Sequence, residues 1–209
     1  MVRAPLCAFA LAVALIISGC GGGGDGESAS GGEKSEPSAS PTASYFIRAD
    51  TDAINAAAVK AQKTGADAQA AKQQRSCNQA GERGYQQWRS CWHKLLIPFR
   101  KALAGLATEL GTLAEREFPE DCVTSLEAGE AAFTGFATQV DGLLRGIDSK
   151  RRVAQVRALR IYDTTLGEIS KSFAEPFQAV TQVCYSPKDL ASINASPRSS
   201  PKPSPSESP

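Results

Sequence analysis

A single histidine, His93, stands in this chain of 209 residues. One imidazole removes the histidine pairs on which HExxH metal hydrolases depend. No CxxCH haem attachment motif occurs, and Asp50-Thr51-Asp52 lacks the remaining ligands of a calcium loop. The cysteines include no CxxC pair, so their spacing gives no support to a four-cysteine zinc site. No segment alternates as a strand does, so no glycine-rich phosphate loop can follow one. Charge of one sign is missing as well: 23 Lys and Arg face 22 Asp and Glu, a formal net charge of +1. Such a balance leaves no electrostatic case for nucleic acid. Long apolar runs are also lacking. The longest, Ala4 to Ile17, falls short of the ~20 residues that span a bilayer. These absences support neither catalysis nor a metal nor a cofactor, and the expectation is a protein that is not an enzyme.

What is present begins with that short run. Arg3 precedes it, Leu15-Ile16-Ile17-Ser18-Gly19-Cys20 closes it, and the tetraglycine Gly21 to Gly24 follows. A basic residue, a short apolar stretch and small residues at a cleavage point form an export signature. An aliphatic residue, two small residues and a cysteine resemble the lipobox of bacterial lipoproteins. The resemblance covers only about the first tenth of the chain. It implies a signal peptide over 1–19, cleavage after Gly19, and a fatty-acylated Cys20. Two acyl chains suffice for stable anchoring, because each buried CH₂ contributes ~0.8 kcal/mol. The chain is then expected at the extracytoplasmic face of the cell membrane, held there by its N-terminal lipid.

Residues 20–44 combine Cys20 with a Gly, Ser, Glu and Pro linker that lacks large apolar side chains. Such a segment cannot bury enough surface to offset its ordering entropy. As a flexible coil it spans roughly 25–30 Å. Residues 186–209 form a Pro- and Ser-rich tail, expected to be disordered with polyproline character. Between them, 45–185 has a length suited to one core.

Four amphipathic segments fill that domain. The first, about Ile47 to Arg75, is Ala-rich, with Ile47, Ile54, Ala58, Ala61, Gly65 and Ala68 on one stripe and Asp50 or Asp52 near its start. Asn78, Gly81 and Gly84 interrupt the pattern. The second, about Tyr85 to Glu117, repeats Trp88, Trp92, Leu95, Phe99, Leu103, Leu106, Leu110 and Leu113 at steps of three and four. Pro98 lies inside it and predicts a kink or a break. The third runs from about Glu120 to Arg145 on Val123, Leu126, Phe133, Phe136, Val140 and Leu143, with Gly146 as its stop. Asp148 or Ser149 is expected to cap the fourth. Its stripe reads Val153, Val156, Leu159, Tyr162, Leu166, Ile169, Phe173, Phe177 and Val180, and Pro176 bends or shortens its last turns. The fold class is all-α: an antiparallel up-down four-helix bundle with two disulfides, flanked by disordered segments.

Outside the cytoplasm an even set of cysteines suggests disulfides. Cys77, Cys91, Cys122 and Cys184 allow three pairings, and the bundle selects one of them. Cys77 and Cys91 flank the first connection at one end. Cys122 opens the third helix and Cys184 closes the fourth, at the other end. Helices of ~30 residues are ~45 Å long, whereas a disulfide bridges Cα atoms no more than ~7 Å apart. The expectation is Cys77–Cys91 and Cys122–Cys184. A continuous helix would hold Cys77 and Cys91 ~21 Å apart, so Gly81 and Gly84 must break it.

The same topology sorts charge. Lys72, Arg75, Arg83, Arg89, Lys94, Arg145, Lys150, Arg151, Arg152 and Arg157 fall at the Cys77 end. Asp50, Asp52, Glu109, Glu115, Glu117, Glu120, Asp121 and Glu175 fall at the other, where the linker enters. The expected function is a lipid-anchored, non-enzymatic binding or scaffolding bundle. Lys150, Arg151 and Arg152 are its candidate contacts with an anionic cell-envelope polymer or an envelope protein. The alternative is a solute-binding lipoprotein with a small-molecule pocket lined by Trp88, Trp92 and Tyr162 near Pro98. Glu127 and Glu130, one turn apart, are a weak candidate cation site, and His93 reads as a boundary residue.

Overall fold

Six α-helices follow one another, and no strand occurs among the described residues. The computed structural model describes residues 45–186 and Leu190. The expected leader, Cys20, the linker and the tail from 187 onward lie outside the described residues, Leu190 excepted. The helices are α1 (Arg48–Gln69), α2 (Ala71–Ala80), α3 (Tyr85–Ala114), α4 (Glu120–Asp148), α5 (Arg152–Ser172) and α6 (Glu175–Cys184), with a 3₁₀ turn over Gly81–Arg83. Functionally they make four rods: α1 with α2, α3, α4, and α5 with α6.

Side-chain links show that neighbouring rods run antiparallel. Between the first two rods Asp50 meets Arg116, Gly65 lies against the Phe99 ring, and Cys77 joins Cys91. Between α3 and α4, Tyr85 Oη donates to the Ile147 carbonyl at 3.1 Å and Arg100 Nε donates to Asp141 Oδ1 at 3.1 Å. Across α4 and the fourth rod, Gly146 meets Ala158, Phe133 meets Phe173 and Phe177, and Cys122 joins Cys184. The first and fourth rods close the ring mainly with polar groups. Thr51 and Tyr185 hydroxyls lie 2.9 Å apart, Gln69 Nε2 donates to the Leu166 carbonyl at 3.1 Å, and Gln74 Nε2 to Asp163 at 3.2 Å. Inside sits one core whose largest fully buried members include Phe99, Phe133, Leu96, Leu103 and Ile169.

The expected disulfides are both present. Their Cα separations are 5.2 Å for Cys77–Cys91 and 4.8 Å for Cys122–Cys184. Chain entropy assigns ~3 kcal/mol to the short loop and ~4 to the long one. The four cysteines among the described residues are all taken up in these two bonds. The break between Cys77 and Cys91 falls at Gly84, whose φ of 119° favours glycine. Gly81, still αR, is the C-cap at which α2 gives way to the 3₁₀ turn, and Gly84 makes the reversal.

The helix boundaries differ from the sequence pattern in physically explicable ways. The first rod breaks at Ala70, with ψ 115°, where nothing in the sequence signals a stop. The carbonyls released there are taken up by side chains: Tyr162 Oη donates to Ala68 O at 2.9 Å and Gln74 Nε2 to Gln69 O at 3.3 Å. Helix α3 runs unbroken through Pro98. Both Pro98 and Lys94, whose carbonyl loses its helical partner, are exposed, on the side of the helix where solvent can replace that partner. Pro176 ends a helix instead: without an N–H it cannot continue α5, and α6 restarts with it in the first turn.

Gly146 does not stop α4, which continues to Asp148; its missing Cβ lets α5 approach. A Cβ there would lie 2.6 Å from Ala158 Cβ. Neither Asp148 nor Ser149 is the N-cap of α5, since Arg151 holds that position. Asp50 caps the start of α1 from its third position, accepting the Ile47 N–H at 3.0 Å. Ile47 itself is exposed, not in the stripe. So are Val153 and Val156. The steps of three from Val153 through Val156 and Leu159 to Tyr162 each drift by ~60° on a 3.6-residue helix, which carries the valines to the side opposite Tyr162.

Glycine substitutions separate packing from propensity. Gly146→Val should cost about 2–3 kcal/mol through overpacking against Ala158. Gly105→Ala, in α3 with nothing within 4 Å of the new methyl, should gain about 0.5–1 kcal/mol. Urea unfolding of the two variants beside the parent checks both signs.

Candidate functional site

The end carrying Cys77–Cys91 also carries the turn from α4 to α5. Local hydrogen bonds fix that turn: the Arg151 N–H donates to Ser149 Oγ at 3.1 Å, and Gln155 Nε2 reaches back to the Ser149 carbonyl at 2.7 Å. Lys150, Arg151 and Arg152 project from it, all exposed. None of the three takes part in an ion pair among the described residues. The structure therefore brings the three candidate cations together on one turn, with Arg157 and Arg160 exposed on α5 beyond them.

Not every cation assigned to this end is available. Arg89 donates to Asp148 Oδ1 at 2.5 Å, and His93 Nε2 lies 2.7 Å from the same oxygen. Both reach from α3 to the last residue of α4. The Asp148 hydrogen bond and charge raise the Arg89 guanidinium above its ordinary value. Partial burial pushes the Asp148 carboxyl upward, but hydrogen bonds from Arg89 and His93, and their charges, outweigh it and leave it below the usual range. His93 thus sits at a boundary, as expected, and has a specific partner that periodicity could not reveal. Glu82 also lies at this end, in the 3₁₀ turn. The basic end is accordingly less uniform than charge sorting alone suggests. The opposite end contains a compensating cation too: Arg116 pairs with the buried Asp50 and lies over the Phe118 ring at 4.9 Å.

The residues proposed to line a pocket are not arranged around one. Trp92 and Tyr162 are each 2% exposed and pack edge to face with centroids 4.9 Å apart. Tyr162 is held neutral by burial, reinforced by the nearby charge of Asp163, which together raise its pKa. Trp88 stacks on Tyr85 at 6.0 Å and covers Gly81, while Pro98 faces solvent. Two of the three aromatics are therefore core. An open depression of about 340 Å³ does lie between α3 and α4, lined by Thr108, Gly111, Thr112 and the carboxylates Glu115, Glu127 and Glu130. Glu130 folds over Gly111, whose added Cβ would meet its carboxylate at 2.8 Å. Among the described residues no three His, Cys, Asp or Glu gather as a metal site, and no helix is long and apolar enough to cross a membrane.

Comparison with known proteins adds no assignment: no family model, no curated protein and no solved structure matches this chain.

The Asp148 cluster has a definite pH signature. A lowered folded pKa makes the carboxylate's contribution fully present above the unfolded value of about 4, and lost as pH falls through the folded one. Asp148→Asn should therefore melt below the parent at neutral pH. The gap should close in acid, as a series of thermal melts over pH will show.

Proposed function

We propose that this chain is a lipid-anchored, extracytoplasmic envelope protein whose bundle binds or scaffolds without catalysis. Its basic end meets an anionic partner, an envelope polymer or the acidic surface of an envelope protein. The observation that carries the reading is the separation of the two ends. At one, the Phe46 N–H donates to the Cys184 carbonyl at 3.0 Å, so the chain enters and leaves the bundle side by side. At the other, Lys150, Arg151 and Arg152 stand exposed without an acid partner. An anchor attached through residue 45 would leave the cationic end unobstructed. The two disulfides support an oxidising compartment, in keeping with the lipobox-like segment ending at Cys20.

Two measurements test the reading. Intact mass of the membrane-associated protein should begin at Cys20 and carry acyl chains, and Cys20→Ser should let a high-salt wash release the protein to the soluble fraction. The Cys20→Ser chain from residue 20 onward should bind soluble polyphosphate at low salt and lose it steeply as salt rises. Replacing Lys150, Arg151 and Arg152 with Ser should weaken that binding by roughly tenfold or more. Absence of binding at low salt, or an unprocessed leader, overturns it.

A further inference from the structure

The outer face of α5 carries a feature that charge alone does not use. Val153 is 82% exposed, Val156 49% and Ile161 46%. The helix's buried row is Ala158, Tyr162, Leu166 and Ile169, so Val153 stands on the opposite side. Val153, Val156, Arg157 and Arg160 are spaced i, i+3, i+4 and i+7 and form one contiguous outward surface, with Ile161 at its margin. The turn cations Lys150, Arg151 and Arg152 continue that surface at its N-terminal end.

A soluble polyanion would engage the cations and leave the valines in water. Hydrocarbon beneath anionic headgroups engages both. Apolar side chains enter the headgroup boundary, while arginine stems lie along them and keep the guanidinium at phosphate level. Four of the five cations here are arginines, whose planar fork matches phosphate oxygens. The nearest acid on α5, Asp163, is hydrogen-bonded to Gln74. Tether length permits the pose. The 24 residues from Gly21 to Ser44 reach at most about 80 Å, whereas the 30-residue α3 is about 45 Å long. A bundle anchored at its far end can therefore lay α5 back on the same bilayer.

We propose that the first turns of α5, with the turn before them, form a docking face for an anionic phospholipid bilayer. This rests on the reading that the α4–α5 end binds anions, and it names the anion's source.

The test uses the Cys20→Ser chain from residue 20 onward, which retains the whole bundle and removes the proposed anchor. Flotation is measured with vesicles of phosphatidylcholine alone and of phosphatidylcholine mixed with phosphatidylglycerol, and binding to polyphosphate is measured in parallel. The parent should float with the anionic vesicles only. Val153→Ser with Val156→Ser should lower partitioning roughly tenfold while leaving polyphosphate binding unchanged. Lys150→Ser, Arg151→Ser and Arg152→Ser together should lower partitioning on the order of 100-fold and weaken both ligands. Both valines are exposed, and circular dichroism should find the variants equally helical. Polyphosphate binding without flotation, or a valine variant that floats as well as the parent, overturns the bilayer proposal and leaves the anion-binding end standing. Failure to bind either ligand overturns both.

Discussion

Antiparallel register is the constraint on which the remaining structure depends. Cys77 and Cys91 approach to 5.2 Å, and Cys122 and Cys184 to 4.8 Å, at opposite ends of rods about 45 Å long. Neither closure is possible unless each rod reverses direction and starts level with its neighbour. Interior pairs keep the same count. Thr51 faces Tyr185, Gln69 faces Leu166 and Gln74 faces Asp163, so each step up the first rod is a step down the fourth. Small residues let the rods come close enough for this. Gly65 accepts the Phe99 ring, Gly129 lies beneath Leu110 and Gly146 receives Ala158. A side chain at any of these would push a rod outward and strain both the register and the covalent closures.

Register also explains which polar groups the bundle buries. The first and fourth rods share little apolar surface, and hydrogen bonds do much of the joining. The Tyr162 hydroxyl, deep in the core, finds the Ala68 carbonyl because α1 has just ended. In a continuous first helix that carbonyl would also take the N–H four residues on, and the buried hydroxyl would have to share it. The break at Ala70 and the burial of Tyr162 are thus one feature seen from two rods.

Much of this was legible in sequence, because long helices with apolar residues at steps of three and four leave little ambiguity. The α3 row of Phe99, Leu103, Leu106, Leu110 and Leu113 is the clearest case. Disulfide pairing was legible once the helices were placed, since only one pairing avoids spanning the long axis. Three kinds of detail were not. The Ala70 break is matched by Tyr162, ninety-four residues away, and no proline or glycine marks it locally. Pro98 and Pro176 read alike, yet Pro98 lies within a continuous helix and Pro176 opens a new one. Val153 and Val156 read as core because hydrophobicity alone cannot tell a drifting stripe from a straight one. Of the candidate site, the place of Lys150, Arg151 and Arg152 at the Cys77 end followed from the helix order. The capture of Arg89 by Asp148 did not, because the two lie on different helices and 59 positions apart.

The two ends differ in how they treat charge, and that difference bears on function. At the Cys122–Cys184 end, Asp50 is 6% exposed, caps α1, and is neutralised by Arg116, which in turn covers Phe118. Phe46 is wedged between Phe118 and Tyr185 in edge-on contacts. Charge there is spent on holding the entering chain. At the other end one acid, Asp148, takes two partners from α3, while the five cations of the next twelve residues take none among the described residues. Like charges crowded on one turn repel, and the fold gains nothing from them. Exposed valines among them gain nothing in water either. Exposed cations and valines thus share one surface, and the proposed anionic bilayer is a partner that would relieve both at once.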